Sequence, residues 1–295
     1  MPMKRAVTFL LCLLFWGAAP IGIKAQSQQQ CGFVTAGKLN VYYCERGKGP
    51  AVILLHAGFL DRHQWDSQVT SLSKKYRVIT PDLPGHGLTR GIDTSVTIAK
   101  VINRFLDVLH IKTVSVVGIS LGATAALDFA LTYPARVNKL ILCSPGLTGW
   151  QEVMSMDTMS RKYFLRPDTN INTSDPGLVT ENFLGFWLDG PFRKTAPVDT
   201  AVRGYIYRTA LDKLVHPRGS LPVFDKQKAA KRVQQLNKPV LILCGDLDVP
   251  FIRQVGNYLH ARIKGSKLVT VENAAHLFPF EKPAEFTGYL TGWLK

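Results

Sequence analysis

Residues 114–127 read Val114-Ser115-Val116-Val117-Gly118-Ile119-Ser120-Leu121-Gly122-Ala123-Thr124-Ala125-Ala126-Leu127. A β-branched apolar run leads directly into Gly-x-Ser-x-Gly and then into good helix formers, which predicts strand, sharp turn and helix in that order. The two glycines let such a turn pass without a side chain to clash. Ser120 is therefore expected on a strained backbone at the head of a helix, where free N–H groups face a developing negative charge. The five-residue pattern alone is weak; the strand before it and the helix after it make it specific.

Working outward, short runs rich in Val, Ile and Leu recur at 51–55, 76–79, 113–117, 139–143, 240–244 and 267–271. They read as parallel strands buried on both faces. The stretches 98–109, 121–132 and 253–263 are spaced as crossover helices between them, so the class is α/β with a doubly wound, mostly parallel sheet. The rhythm stops between 148 and 231, where Met154, Met156, Met159, Phe183, Phe186 and Trp187 stand without another strand–helix pair. That segment reads as an inserted, mainly helical cap between core parts 26–147 and 232–295. A cap inserted after a strand's C-terminal end lies over the crevice where α/β sheets bind ligands. Residues 283–294 carry Phe286, Tyr289, Leu290, Trp293 and Leu294 at helical spacing and are expected to close the core.

The N-terminus has a basic start at Lys4 and Arg5, an apolar run over 6–19, Pro20, and a cleavage point after Ala25. This is the layout of a signal peptide spanning 1–25, and it predicts a periplasmic or extracellular protein. A retained membrane anchor is the alternative, since residues 6–23 approach the length of a spanning helix. The chain holds 36 Lys and Arg against 21 Asp and Glu, a net charge of +15. Loss of 1–25 removes Lys4, Arg5 and Lys24 but no acid, which brings the charge to +12. A solvated basic surface, loosely attracted to anionic envelope material, is the reading; the basic residues are scattered rather than striped, so nucleic acid is not expected as a partner. Of five cysteines, Cys12 lies in the apolar run, and Cys31 and Cys44 flank two strands, 33–34 and 40–43, around a turn at Ala36-Gly37-Lys38. A hairpin there brings the two within bridging distance, so a disulfide is expected. Cys143 and Cys244 end buried strands and read as inert thiols.

Taken together the motifs resemble the α/β-hydrolase family over nearly all of the chain after the leader. His56-Ala57-Gly58 resembles its oxyanion turn, Pro81-Asp82-Leu83-Pro84-Gly85-His86-Gly87 its next strand–loop, Gly245-Asp246-Leu247-Asp248 its acid loop and Asn273-Ala274-Ala275-His276 its histidine loop. Ala57 stands where glycine is more usual, and Ile119 where a polar or aromatic residue is common. The order Ser, Asp, His agrees with the family. Ser120 is then the nucleophile and His276 the general base. Asp246 and Asp248 follow the same strand and both fit as the acid; the resemblance favours Asp248. Oxyanion donors are expected from the backbone N–H groups of Leu121 and Gly58, with Phe59 in reserve. His56 is read as a brace for its loop. The remaining histidines, His63, His86, His110, His216 and His260, lack an acid loop to pair with.

No His-Glu-x-x-His, paired Cys-x-x-Cys, dinucleotide or P-loop pattern occurs, so no metal and no cofactor is implied. An esterase or lactonase acting on a small molecule leads. A carbon–carbon bond hydrolase on a vinylogous diketone and a receptor that binds without turnover are the other two readings. Oligomeric state is left open. The acyl pocket is expected to draw on Phe59, Met154, Phe183, Phe186 and Trp187, an apolar chamber with adaptable methionine walls.

Overall fold

The computed structural model describes residues 28–166, 175–194 and 197–295, so the signal sequence read at 1–25 lies outside the described residues. The strands are β1 (Gln30–Ala36), β2 (Leu39–Arg46), β3 (Ala51–Leu55), β4 (Arg77–Pro81), β5 (Val114–Ile119), β6 (Val137–Cys143), β7 (Val240–Gly245) and β8 (Lys267–Val271). They form one eight-stranded sheet in the order β1-β2-β4-β3-β5-β6-β7-β8. From β4 to β8 every pairing is parallel; β2 runs antiparallel to both β1 and β4. The mostly parallel, doubly wound α/β fold read from the sequence is the fold observed. What the sequence did not reveal is how far the hairpin strands extend, or that β2 docks on β4.

The alternating geometry of a strand explains why the central runs are apolar throughout. Ile53, Leu55, Val116, Leu140, Leu142 and Ile242 face one layer, with α2 (Ile98–Val108), α3 (Leu121–Thr132) and α7 (Pro250–Arg262). Their sequence neighbours Val52, Leu54, Val117, Ile141, Cys143 and Leu243 face the other, with α1 (Asp66–Leu72) and α9 (Pro283–Leu294). In that second layer the fully buried Trp65 stacks on Phe286, ring centroids 6.0 Å apart. α1 had no reading in the sequence; it is short, and only Val69 and Leu72 supply its apolar side.

Chain order reverses at the centre of the sheet, because β4 adds on one side of β3 and β5 on the other. A crevice opens at such a switch point beyond the strands' C-terminal ends. There β3 runs into His56 and β5 into Ser120, with Leu55 opposite Gly118 in the register.

After β6 the chain leaves the sheet for α4 (Thr158–Leu165), α5 (Pro176–Phe183), a π-helical turn Leu184–Asp189 and α6 (Thr200–Val215) before returning at β7. Its two ends meet at a neck. Ala230 N donates to Thr148 O at 3.0 Å and Ala229 N to Thr148 Oγ1 at 2.9 Å. Both ends rest on Asp128 of α3, which accepts from Thr148 Oγ1 at 3.2 Å and from Asp225 N at 3.3 Å. At the far edge β1 and β2 place Cys31 opposite Cys44, and a disulfide joins them; Cys143 and Cys244 are free and buried. Gly37, at φ +73°, opens the tight turn of that hairpin. Among the described residues no helix is long and apolar enough to cross a membrane.

Candidate active site

Ser120 sits between β5 and α3 at φ +52°, ψ −113°, a conformation few non-glycine residues adopt. The surroundings hold it there: Ser120 N donates to Cys143 O of β6 at 3.0 Å, and Ser120 O accepts from Thr124 N at 2.9 Å. Both flanking glycines are required by close approach. A Cβ at Gly122 would run into the carbonyl of Leu55, and one at Gly118 into the carbonyl of Gly122. The α3 helix is thus pressed against β3, and the serine stands at its N-terminus.

His276 is 2% exposed, in the loop between β8 and α8 (Phe278–Glu281). Its Nδ1 lies 3.1 and 3.0 Å from the two carboxylate oxygens of Asp248, itself 1% exposed. A buried carboxylate on Nδ1 fixes the tautomer with the proton there, which leaves Nε2 as a lone-pair acceptor. That Nε2 is buried and has no hydrogen-bond partner among the described residues. Asp248 Oδ1 also accepts from Val249 N at 2.7 Å. The neighbouring acid does other work: Asp246 Oδ1 accepts from Ala274 N at 3.1 Å, bracing the histidine loop through its backbone. Of the two acids left open by the sequence, Asp248 is the one in contact with the imidazole.

The turn after β3 lies beside the serine. Gly58 is close to Leu121, since a Cβ built on it would come 3.8 Å from the Leu121 Cβ. Ala57 N is committed to Gln64 Oε1 at 2.9 Å, whereas the amides of Gly58 and Phe59 have no partner among the described residues. Phe59 takes φ +62°. His56 is fully buried; its Nδ1 donates to Ala57 O at 2.7 Å and its Nε2 accepts from Leu83 N at 2.9 Å. Burial holds the His56 pKa below the usual imidazole range, and burial together with His56 pushes His86 down to about 3. Both rings are therefore neutral at pH 7 and serve as braces for the two loops.

Ser120, His276, Gly58 and Phe59 line one cavity of about 490 Å³. Phe183 and Trp187 also line it, with the Phe59 and Phe183 rings 5.0 Å apart and the Trp187 indole 4.4 Å from the His276 imidazole. Two of the expected wall residues are elsewhere. Met154 is 44% exposed and borders a separate outer depression with Met156. Phe186 turns away and stacks on Tyr163, centroids 3.7 Å apart. Its place in the wall is taken by Tyr163, Phe164 and Leu165 of α4, with Leu277 behind the histidine, none of which was singled out from the sequence. The run Tyr163-Phe164-Leu165, three bulky apolar residues at one helix end, was the available signal. The sequence also gave no hint of Arg193 and Glu281, a part-buried pair 2.5 Å apart beside the histidine loop.

The family model for the alpha/beta hydrolase fold matches residues 50–283. The pimeloyl-[acyl-carrier protein] methyl ester esterase of Nitrosospira multiformis is 25% identical over 264 residues, which is 85% of this chain and 96% of that one. The 2-hydroxy-6-oxo-6-phenylhexa-2,4-dienoate hydrolase of Burkholderia cepacia is 29% identical over 169 residues, covering 50% of this chain and 59% of the other. The crystal structure of the enol-lactonase from Burkholderia xenovorans LB400 superposes with a TM-score of 0.71 at 18% identity, over 89% of this chain and 99% of that one.

Proposed function

The chain belongs to the alpha/beta hydrolase fold family, and on that footing we propose a serine hydrolase that cleaves a small to medium, largely apolar carboxylic ester or lactone through an acyl-enzyme on Ser120. The observation that carries the reading is the one cavity lined by both Ser120 and a His276 whose Nδ1 is held by Asp248 while Nε2 has no partner among the described residues.

In this mechanism Ser120 Oγ attacks the acyl carbon as His276 Nε2 takes its proton. The carbonyl oxygen becomes an oxyanion facing the amides of Leu121 and Gly58, with Phe59 N adjacent. Collapse breaks the bond to the leaving oxygen, which receives the proton from His276. Water then repeats the sequence on the acyl-enzyme and restores the serine. Asp248 stays ionised and stabilises the imidazolium that forms at each proton transfer.

The aromatic walls support an alkyl or aryl acyl group, and the volume lies in the range of small-ligand sites. The segment 148–231 acts as a cap over that site, with Tyr163, Phe164, Leu165, Phe183 and Trp187 among its contributions to the chamber. Export of the chain after loss of 1–25 is supported by the Cys31–Cys44 bridge, since oxidising compartments preserve such bonds. The test is a p-nitrophenyl ester series: each methylene buried adds about 0.8 kcal/mol until the chamber is full. kcat/KM therefore rises from acetate to about butyrate or hexanoate and then falls; a peak at acetate, or a profile still climbing at palmitate, rejects the capped apolar chamber.

A second reading draws on the similarity to the dienoate hydrolase, whose named substrate has a ketone and no ester. Turnover of a vinylogous diketone with negligible turnover of every ester transfers the case to carbon–carbon cleavage.

A further inference from the structure

We propose that Glu281 and Arg193 form a clamp that positions His276 and Trp187 together, locking the π-helical turn and the histidine loop into one wall of the acyl chamber. The inference rests on the reading of Ser120 and His276 as reacting groups.

Glu281 ends α8, and each of its carboxylate oxygens has one job. Oε1 accepts the N–H of Ala275, the residue before His276, at 3.0 Å; Oε2 accepts Arg193 Nη2 at 2.5 Å. Arg193 in turn closes the C-terminal end of the π-helical turn, its Nε donating to Asp189 O at 2.5 Å and its Nη2 to Leu188 O at 3.4 Å. Carbonyls at a helix end lack partners within the helix, so one guanidinium satisfies them and reaches the carboxylate at once. The two side chains are only 10% and 8% exposed, which leaves little water to replace a lost partner. Burial raises the Glu281 pKa, and the Ala275 amide and Arg193 oppose that rise.

Two further contacts bind the same elements. Trp187, next to Leu188, sets its indole 4.4 Å from the imidazole. Gly190, at φ +79°, passes so close to the histidine loop that a Cβ there would lie 2.8 Å from the Ala275 Cβ. By contrast, Arg203 pairs with Glu181 and Asp189 within the 148–231 segment, in partly exposed surroundings. The clamp couples the wall to the base; the Arg203 pairs do not touch the histidine loop.

The experiment is hydrogen exchange by mass spectrometry on the wild type, Glu281→Gln, Arg193→Met and the double variant, beside kcat and KM on p-nitrophenyl butyrate. A clamp predicts reciprocal effects: Glu281→Gln speeds exchange in 184–193, and Arg193→Met speeds it in 273–277. Each single variant should lose about ten- to a hundredfold in kcat, the scale of a misplaced catalytic group, and the double variant little more than the worse single. Arg193→Lys, which keeps the charge without the fork, should fall between. Exchange confined to the mutated residue's own segment, or multiplicative kcat losses, overturns the clamp. If Glu281→Gln does not fold, Glu281→Asp keeps the charge but is too short to hold both partners, and it is read by the same exchange criterion. A wild type inert toward all esters and lactones refutes the ester-hydrolase reading, whereas exchange coupling reports on the clamp without turnover.

Discussion

Replacing Asp128 by Asn should stabilise the protein at neutral pH. Asp128 is 2% exposed on α3 and has no cation in direct contact among the described residues; Arg232 reaches toward the nearby Asp225, at 3.8 Å. Burial raises its pKa from 3.8 to about 6, and the Asp225 charge adds to the rise, against the hydrogen bonds from Asp225 N and Thr148. The folded protein thus binds this proton more tightly than the unfolded chain. Between pH 4 and 6 the folded state carries more protons, so this group's contribution to stability falls as pH rises through that window and levels off above it. A shift of about two pH units corresponds to roughly 3 kcal/mol of destabilisation at pH 7. Asn removes that charge; its one carbonyl oxygen accepts from Asp225 N and its NH2 donates to the Thr148 hydroxyl instead of accepting from it, a change from charged to neutral strength of roughly 1 kcal/mol in all. The net expectation is a gain of about 2 kcal/mol at pH 7, or about 4–6 °C in Tm for a domain of this size. The gain should shrink towards pH 4. Thermal or urea unfolding of both proteins from pH 4 to 7.5 reads it, and taking the difference between them cancels every other titrating group. A difference that is flat with pH, or an Asn variant less stable at pH 7, refutes the argument.

Asp248→Asn should lower kcat by about 10⁴-fold, because the acid fixes the tautomer and stabilises the imidazolium, while Asp246→Asn, which only weakens an acceptor for Ala274 N, should cost far less; the reverse ranking in steady-state kinetics reassigns the acid. A fluorophosphonate probe should label Ser120 alone, and labelling that survives Ser120→Ala removes it from the mechanism. Cys44→Ala opens a bridge between residues 13 apart and should cost about 3 kcal/mol in the chain-entropy model, measured by urea unfolding without reductant. Gly122→Ala should give little folded protein, since its Cβ meets the Leu55 carbonyl and neither backbone can yield; normal yield and Tm would show that α3 has room to move.

The sheet and the residues brought together at the candidate site were legible in the sequence for different reasons. Strands buried on both faces leave uninterrupted apolar runs, and β3 falls on the residues predicted for it; β8 does too, although at the sheet edge only its Val271 is buried. Ser120 was legible because its strained turn demands glycine on both sides. The chamber walls were not. Phe186 and Trp187 are adjacent on a π-helical turn, and composition alone does not say which of the two faces inward. Met154 is as comfortable half-exposed on the rim as it would be inside, and composition alone does not tell these apart. Arg193 and Glu281 lie 88 residues apart, and nothing local announces that a cation after one turn will meet a carboxylate on another.

The neck at Thr148 and Ala230 has a bearing on how such a protein can change. Because the segment leaves and re-enters the sheet through residues already hydrogen-bonded to each other, it can be exchanged for another of different length without moving β6 or β7. Within it sit α4 and the turn bearing Trp187; outside it sit Ser120, Asp248 and His276. On the function proposed above, much of the chamber wall and the reacting groups are thus carried on separable stretches of chain, with Phe59 and Leu277 left on the core side, and a graft at 148 and 230 is the natural route to a new acyl preference. The Arg193–Glu281 pair crosses that boundary, so a transplanted segment would have to bring its own cation for the carboxylate left behind.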